Sequence, residues 1–569
     1  MPKEAKNVPW LGHAALEFTV VFTVLYALSA ISFKAAQPED GEKQFLTLDD
    51  EDNFVVNDAY KGFTSEHLQW MWESKHLDVW EPVAWFLKAC VWSLFELDAN
   101  RWLDVQVISH AAGGSLLYLL CLRVFGEHFS PSRKVQAAAS LAGAAFWTLH
   151  PLRAEVVGWI SCISYNFGVN FVVGSLLAYH SYLTANNTVT KAVAYATSLL
   201  FFFLALACKT PAISTLFGFL FIDAFVKPKR LLPVKQWLSP FGAVTDKLAF
   251  VAVGVWVLFT AAPGDDPCEN PRTAGVCLTV KDRFIRACWA LGFYVRMTLW
   301  PEQHMPHYAM EKHNDHETSM DFDTATYLLP SVVIPAVTAI AIGTFLTELW
   351  RITSSVQRDA PSPASKASAT AIQRQFSTSF IISAAWVFYV TWSLPAIGIV
   401  QHGVLTMGAD RYHYLPALVV APVVGALYSK LHHAPAIPCI SKAVVGVSIF
   451  AILVLLTRAA SRPWTNTVSL YTNAQRFRAT NTGFALNNFG YWYVDSACSL
   501  HLRRKQCFDM VVTAGTTVKK TGLWRLKCSS KRSCKSRTTL RESLTSQTFL
   551  ATTRKTGRRR PNTTRSTSR

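Results

Sequence analysis

The sequence predicts an all-α polytopic membrane protein, and three observations carry that expectation. Apolar runs of spanning length recur along the first 460 residues, hydrophobic residues make up 51% of the chain against 16% charged, and aromatic residues are plentiful, with 36 Phe and 19 Trp. At 569 residues the chain is long enough for three or four soluble domains, so with this composition length says little about domain count. The formal net charge of +18 resembles a nucleic-acid signal until it is located. Residues 501–569 carry 19 Lys and Arg against 2 Asp and Glu, leaving 36 basic and 35 acidic residues elsewhere. The excess belongs to the tail, and no nucleic-acid partner is expected.

The first run, 11–33, is long enough to span and follows only a short, weakly charged start, so it reads as a signal anchor rather than a cleaved signal peptide. Further runs at 104–126, 136–152, 166–184, 191–208, 211–226, 246–262, 326–349, 376–400, 413–429 and 440–458 bring the expectation to about eleven spans. The run 284–300 is interrupted by Arg286 and Arg296 and reads as an amphipathic surface helix. Basic loops at 227–245 and 350–375 mark the cytosolic side. Two spans between them keep both loops on that side, with the N-terminus in the cytosol and the C-terminus across the membrane.

This topology gathers four polar sets on the non-cytosolic side. They are loop 36–103, the stretch His150 to Trp159, the break Cys208-Lys209-Thr210-Pro211, and loop 263–325 together with residues 401–413. Within loop 36–103, Trp80 to Trp85 opens an aromatic amphipathic segment suited to the membrane interface. Most of the twelve Cys read as buried small hydrophobes, but Cys268 and Cys277 flank a polar loop, where a disulfide would need an oxidising lumen. After the last span, residues 464–493 read as helical and amphipathic. Beyond about residue 499 the apolar periodicity is lost, and either disorder or a shifted reading frame accounts for the basic tail.

Loop 36–103 opens with Asp49, Asp50, Glu51 and Asp52, and Asp58 follows, giving five carboxylates within eleven residues. Such a group lies idle in solvent, supplies a general base at the bilayer surface, or holds Mg²⁺ or Mn²⁺ through Asp50 and Asp52. Lys209 interrupts an apolar stretch, so it either snorkels at a helix end or faces an anionic partner such as a phosphate. Arg411 suits bidentate phosphate binding and equally suits a structural ion pair with Asp410. His110 lies among small residues inside the second span, where a helix-packing hydrogen bond competes with a chemical role. His150 and Glu155 close the third span around a proline. The sequence holds no metal-spaced Cys/His set, Gly-rich phosphate loop or nucleophile elbow.

Taken in order, four segments resemble the transmembrane and tetratricopeptide-repeat-containing O-mannosyltransferases of the endoplasmic reticulum. The first is Asp49-Asp50-Glu51-Asp52-Asn53 followed by Trp80-Glu81-Pro82-Val83-Ala84-Trp85. The second is His150-Pro151-Leu152-Arg153-Ala154-Glu155-Val156-Val157-Gly158-Trp159, and the third is Leu291-Gly292-Phe293-Tyr294 with Leu299-Trp300-Pro301. The fourth is Gln401-His402-Gly403 leading to Ala409-Asp410-Arg411-Tyr412-His413-Tyr414-Leu415-Pro416. Lys209 and the run ending at Asp223 also sit where such proteins have a Lys and a Leu-rich run ending in Asp.

The resemblance implies a C-type glycosyltransferase-like bundle over 1–460, with luminal loops 36–103 and 263–325. It implies dolichyl-phosphate-mannose as donor, luminal proteins as Ser/Thr acceptors, and an endoplasmic reticulum membrane location. It also implies Asp49 or Asp50 as the base, with Arg411, Lys209 and His150 as candidates for the donor phosphate; Glu155 and His110 complete the candidate set. Two departures stand out. Ser161-Cys162-Ile163-Ser164-Tyr165-Asn166 replaces a charged pattern common after the His-Pro segment. The helical-repeat region is vestigial, starting in 461–498 and giving way to the 499–569 tail. A non-catalytic membrane scaffold and a transporter remain the competing function classes.

Overall fold

The computed structural model describes residues 9–34, 42–231, 242–262, 278–302, 304–306, 308, 325–358, 376–400, 407–435 and 438–476. Helices form at every predicted apolar run: α1 (Pro9–Phe33), α2 (Ser65–Glu73), α3 (Pro82–Phe95), α4 (Ala99–Val124), α5 (Arg133–Thr148), α6 (Ile163–Thr184), α7 (Thr188–Cys208) and α8 (Thr215–Val226). They continue as α9 (Leu248–Ala261), α10 (Val280–Leu299), α11 (Ala325–Arg358), α12 (Thr378–Ser393), α13 (Val420–His433), α14 (Cys439–Ser461) and α15 (Thr467–Arg476). Among the described residues there is no strand, only an isolated bridge between Tyr308 and Gly408.

Six helices, α1, α4, α6, α7, α11 and α14, are long and apolar enough to cross a membrane, against the eleven spans expected. The other predicted spans are helical but shorter or more polar; α8 and α12, for example, are apolar helices of 12 and 16 residues. The chain is a multi-pass α-helical membrane protein by these six helices. Apolar content here does not mean burial: α4 and α6 bury 67% and 78% of their most apolar stretch, whereas α11 and α14 bury 6%. Exposed Val332, Ile340, Val447 and Leu455 on that outer pair face where lipid would lie.

Close helix contacts rest on small residues. A Cβ on Gly143 of α5 would stand 2.0 Å from the Ala421 carbonyl oxygen of α13, so the two backbones touch there. The α6–α7 hairpin turns in three residues and is capped by Asn187, whose side chain accepts from Thr190 N at 2.7 Å. The amphipathic helix expected at 284–300 forms as α10. Its Arg286 is buried, and its guanidinium packs where a Cβ on Gly398 (φ +84°) would fall. Only glycine takes that backbone conformation without strain while leaving room for the arginine. The Cys268–Cys277 pairing, residues 401–403, the repeat residues beyond 476 and the basic tail lie outside the described residues.

Candidate functional site

The stretch from His150 to Trp159 is where the bundle is broken most sharply. α5 stops at Thr148, and His150 then caps a tight turn over Pro151–Arg153 by accepting from Leu152 N at 3.2 Å on Nδ1. Its Nε2 donates to the Thr298 carbonyl at 3.0 Å. A short helix (Ala154–Gly158) and a second tight turn (Ile160–Cys162) lead into α6. The stretch is buried along almost its whole length and presents Glu155, Trp159, Ser161 and Tyr165 to three other polar segments.

Asp50 reaches the turn through Ser161. One carboxylate oxygen accepts from Ser161 N at 2.8 Å and Ser161 Oγ at 2.5 Å, and the other accepts from Leu46 N at 2.9 Å. The side chain is fully buried. Burial pushes the Asp50 carboxyl above its ordinary value, while Lys43 and the three donors pull the other way. Burial likewise lowers Lys43 to about 8, despite the attraction of Asp50. The Lys43 ammonium donates to the Trp464 carbonyl at 2.6 Å, tying the loop to the end of α14. Asp49 is half-buried beside Asp50, and Asp52 is exposed.

Glu81 forms the second contact. One oxygen pairs with Lys88 at 2.5 Å and the other with Lys209 at 3.0 Å. Burial alone would raise the Glu81 carboxyl, but Lys209 and Lys88 outweigh it and hold it at about 2. The Lys88 ammonium also lies 3.8 Å from the Trp85 ring centroid, and that of Lys209 lies 5.2 Å from the Tyr165 ring.

Arg411 forms the third. Its backbone N donates to Glu155 Oε2 at 2.8 Å, and its guanidinium pairs with Glu155 Oε1 and donates to the Pro306 carbonyl at 3.1 Å. The guanidinium also packs over the rings of Trp159 and Tyr412. Asp410 is not the partner of Arg411, contrary to one of its two sequence readings. The two residues are consecutive in a tight turn, and Asp410 points instead to Tyr308 Oη and His304 Nδ1, both at 2.7 Å.

Asp50, Glu155, Lys209 and Arg411 therefore meet around the turn, through Ser161, Trp159 and Tyr165. Among Glu81, Glu155, Lys88, Lys209 and Arg411, three cations face two carboxylates. The carboxylates are 7% and 0% exposed, whereas Lys209 and Arg411 keep 18% and 11%. The accessible part of this cluster is cationic, which suits an anion such as a phosphate.

Two predicted residues stand apart. His110 is fully buried in α4; its Nε2 donates to the Thr148 carbonyl at 2.9 Å, leaving Nδ1 to accept from Tyr414 Oη at 2.8 Å. It packs helices, as one of its two sequence readings allowed. The metal reading of Asp50 and Asp52 lacks a donor set: both Asp50 oxygens are taken, Asp52 is exposed, and no group of three or more His, Cys, Asp or Glu side chains among the described residues is placed to hold a metal ion.

Sequence reading assigned no role to Lys43, Lys88, Ser161 or His304. Lys88 carried a signal, since a lone cation in an apolar helix needs a partner. Glu81 sat in a quoted motif without a role. Ser161 carried none, because one serine in a turn says nothing about a carboxylate 111 residues away. A scan of protein-family models finds no match to this chain, and searches of characterised proteins and of solved structures find none either.

Proposed function

We propose that the protein is a lipid-dependent glycosyltransferase of the endoplasmic reticulum membrane, moving mannose from dolichyl-phosphate-mannose to Ser or Thr hydroxyls of luminal proteins. The observation that supports this reading is the meeting of the acidic first loop with Lys209 and Arg411 around the turn 159–165. It brings carboxylates and the partly accessible cations Lys209 and Arg411 together at one end of a bundle of apolar helices, which a reaction between a lipid phosphate and a hydroxyl requires.

In this reading the acceptor oxygen bonds to the anomeric carbon as the bond from that carbon to the phosphate oxygen breaks, with inversion. The hydroxyl proton passes to Asp49, and the electron pair leaves on dolichyl phosphate, whose charge Arg411 and Lys209 stabilise. Asp49 rather than Asp50 takes the base role, because Asp49 is half-buried whereas Asp50 is fully enclosed where it accepts from Leu46 and Ser161. Asp50 then holds the loop that carries Asp49.

That internal pairing also favours a competing reading, a non-catalytic membrane scaffold in which these residues only hold the fold. One experiment separates them: mannosyl transfer by protein in microsomes lacking endogenous activity, with thermal stability of the purified protein measured in the presence of donor. The expectation is transfer by wild type, a loss of at least about 10²-fold in Asp49→Asn, and donor stabilisation in both. Full activity in Asp49→Asn overturns the base assignment. A wild type that neither transfers mannose nor is stabilised by donor leaves the scaffold reading.

A further inference from the structure

At the other end of the same helices lies an apolar cavity that the polar site does not use. Its volume is about 80 Å³, and it opens to the surroundings between α4, α8, α12 and α13. Leu117, Cys121, Phe225, Ala384, Val423 and Ala426 are among its lining residues, and the one titratable nitrogen base there is His128. From Leu117 to Val124 the lining runs seven residues along α4, about 10 Å of helix. An apolar space of this kind excludes water and is filled most favourably by hydrocarbon.

We propose that this cavity holds an acyl chain of an anionic phospholipid, with the headgroup against His128 and Lys430. Two observations set the occupant. The first is the rim. The His128 ring lies 4.3 Å from the ring of Phe376 at the edge of the cavity. Lys430 is exposed one helical turn beyond Ala426, and its ammonium donates to Thr378 Oγ1 at 2.7 Å. His432 and His433 are exposed beside it, while Glu348 across the rim is already paired with Arg351 and accepts from Ser377 Oγ. Lys430 is the exposed cation placed at this rim, complementary to a phosphate.

The second observation is an aromatic layer between the cavity and Arg411 on two of the elements that line it. The His110, Trp147 and Tyr414 rings pack together with centroids 5.0, 5.2 and 5.9 Å apart, all buried. In α4 this layer stands before Leu117, and in the segment leading to α13 it stands before Leu418, so it separates cavity from polar site on both elements. A chain entering the cavity comes from the leaflet at the Lys430 end. On those two elements the layer stands in the way of the tail of a lipid whose phosphate sits at Arg411.

The test uses the full-length protein in nanodiscs of phosphatidylcholine, alone or mixed with phosphatidylglycerol, each lipid in turn carrying a photoreactive acyl chain. Crosslinked peptides are mapped by mass spectrometry. Wild type is expected to crosslink at 376–388 and 418–426, with about fivefold preference for the anionic lipid, the factor that roughly 1 kcal/mol per surface cation corresponds to. Ala426→Trp, which fills the cavity, should lose most of the crosslinking. Lys430→Glu, at an exposed position that leaves the fold intact, should keep phosphatidylcholine crosslinking and lose the preference. Absence of crosslinks at these stretches in wild type, undiminished crosslinking in Ala426→Trp, or equal use of both lipids overturns the proposal. So does displacement of the photolipid by a polyprenyl phosphate.

Discussion

Replacing Glu81 with Gln tests whether the Lys88–Glu81–Lys209 triad holds loop 36–103 against the helices. Glu81 is the only carboxylate in that triad, so the change raises its net charge from one positive to two without altering shape. The cost falls unequally. The Lys209 side chain is 18% exposed and can turn towards water, so its share is small. The Lys88 side chain is 1% exposed and has no such escape. Its remaining compensation is the Trp85 face at 3.8 Å, worth about 2 kcal/mol when desolvated. A buried charge stripped of its partner costs about 3–5 kcal/mol, and Glu81→Gln should fall in that range. Lys88→Met added to Glu81→Gln removes the stranded charge and should return most of the loss. Unfolding titrations in mixed micelles, comparing wild type, the two single variants and the double, measure this. A Glu81→Gln stability within about 0.5 kcal/mol of wild type refutes the reasoning, as does a double variant no better than the single.

The same triad sets a pH dependence. The Glu81 carboxyl sits at about 2 in the fold against an ordinary 4.5, so its pairing contributes stability that is full above about 4.5 and is lost as pH falls towards 2. The difference between wild type and Glu81→Gln should shrink by about 3 kcal/mol across that window, and a constant difference in unfolding free energy over the same range would contradict it. Gly143→Ala drives a methyl group against the Ala421 carbonyl, so α5 and α13 must part. A loss of about 1–3 kcal/mol is expected, read by the same titration, and an unchanged midpoint would mean the helices do not cross as described.

The apolar runs announced the helices well because hydrophobicity over about twenty residues depends only on local sequence. Each of the eleven runs contains a helix, and the run 284–300, read as an amphipathic surface helix, forms α10 but buries Ile285, Arg286, Ala287 and Cys288 in succession. Where that reading stopped short was the inner face: Arg286 is an interruption in the sequence but a packed side chain against Gly398 in the fold. The site was legible in parts. Lys209 and Arg411 were visible as cations in costly places, and their expected grouping with the acidic loop and the His150 to Trp159 stretch is met by contacts through Glu81, Ser161 and Glu155. Partner choice was not legible. Arg411 has Asp410 as its neighbour in sequence, yet takes Glu155 from 256 residues away, because a tight turn aims adjacent side chains apart.

The turn 161–166 is where sequence resemblance and structure bear on each other most directly. Ser161 stands in a segment where the family that the sequence resembles carries a charged pattern, which by itself weakens any functional reading of that turn. In the fold, however, Ser161 supplies two of the three donors to the buried Asp50 carboxylate. An Arg or Lys in that segment would offer such a carboxylate a full charge, whereas a serine offers only hydrogen bonds. The remaining positive field comes from Lys43, whose ammonium is held on the Trp464 carbonyl. Lys43 thereby joins the first loop, α14 and Asp50 in one network. In this chain the connection between the acidic loop and the turn rests on hydrogen bonds and a more distant cation, not on a direct ion pair.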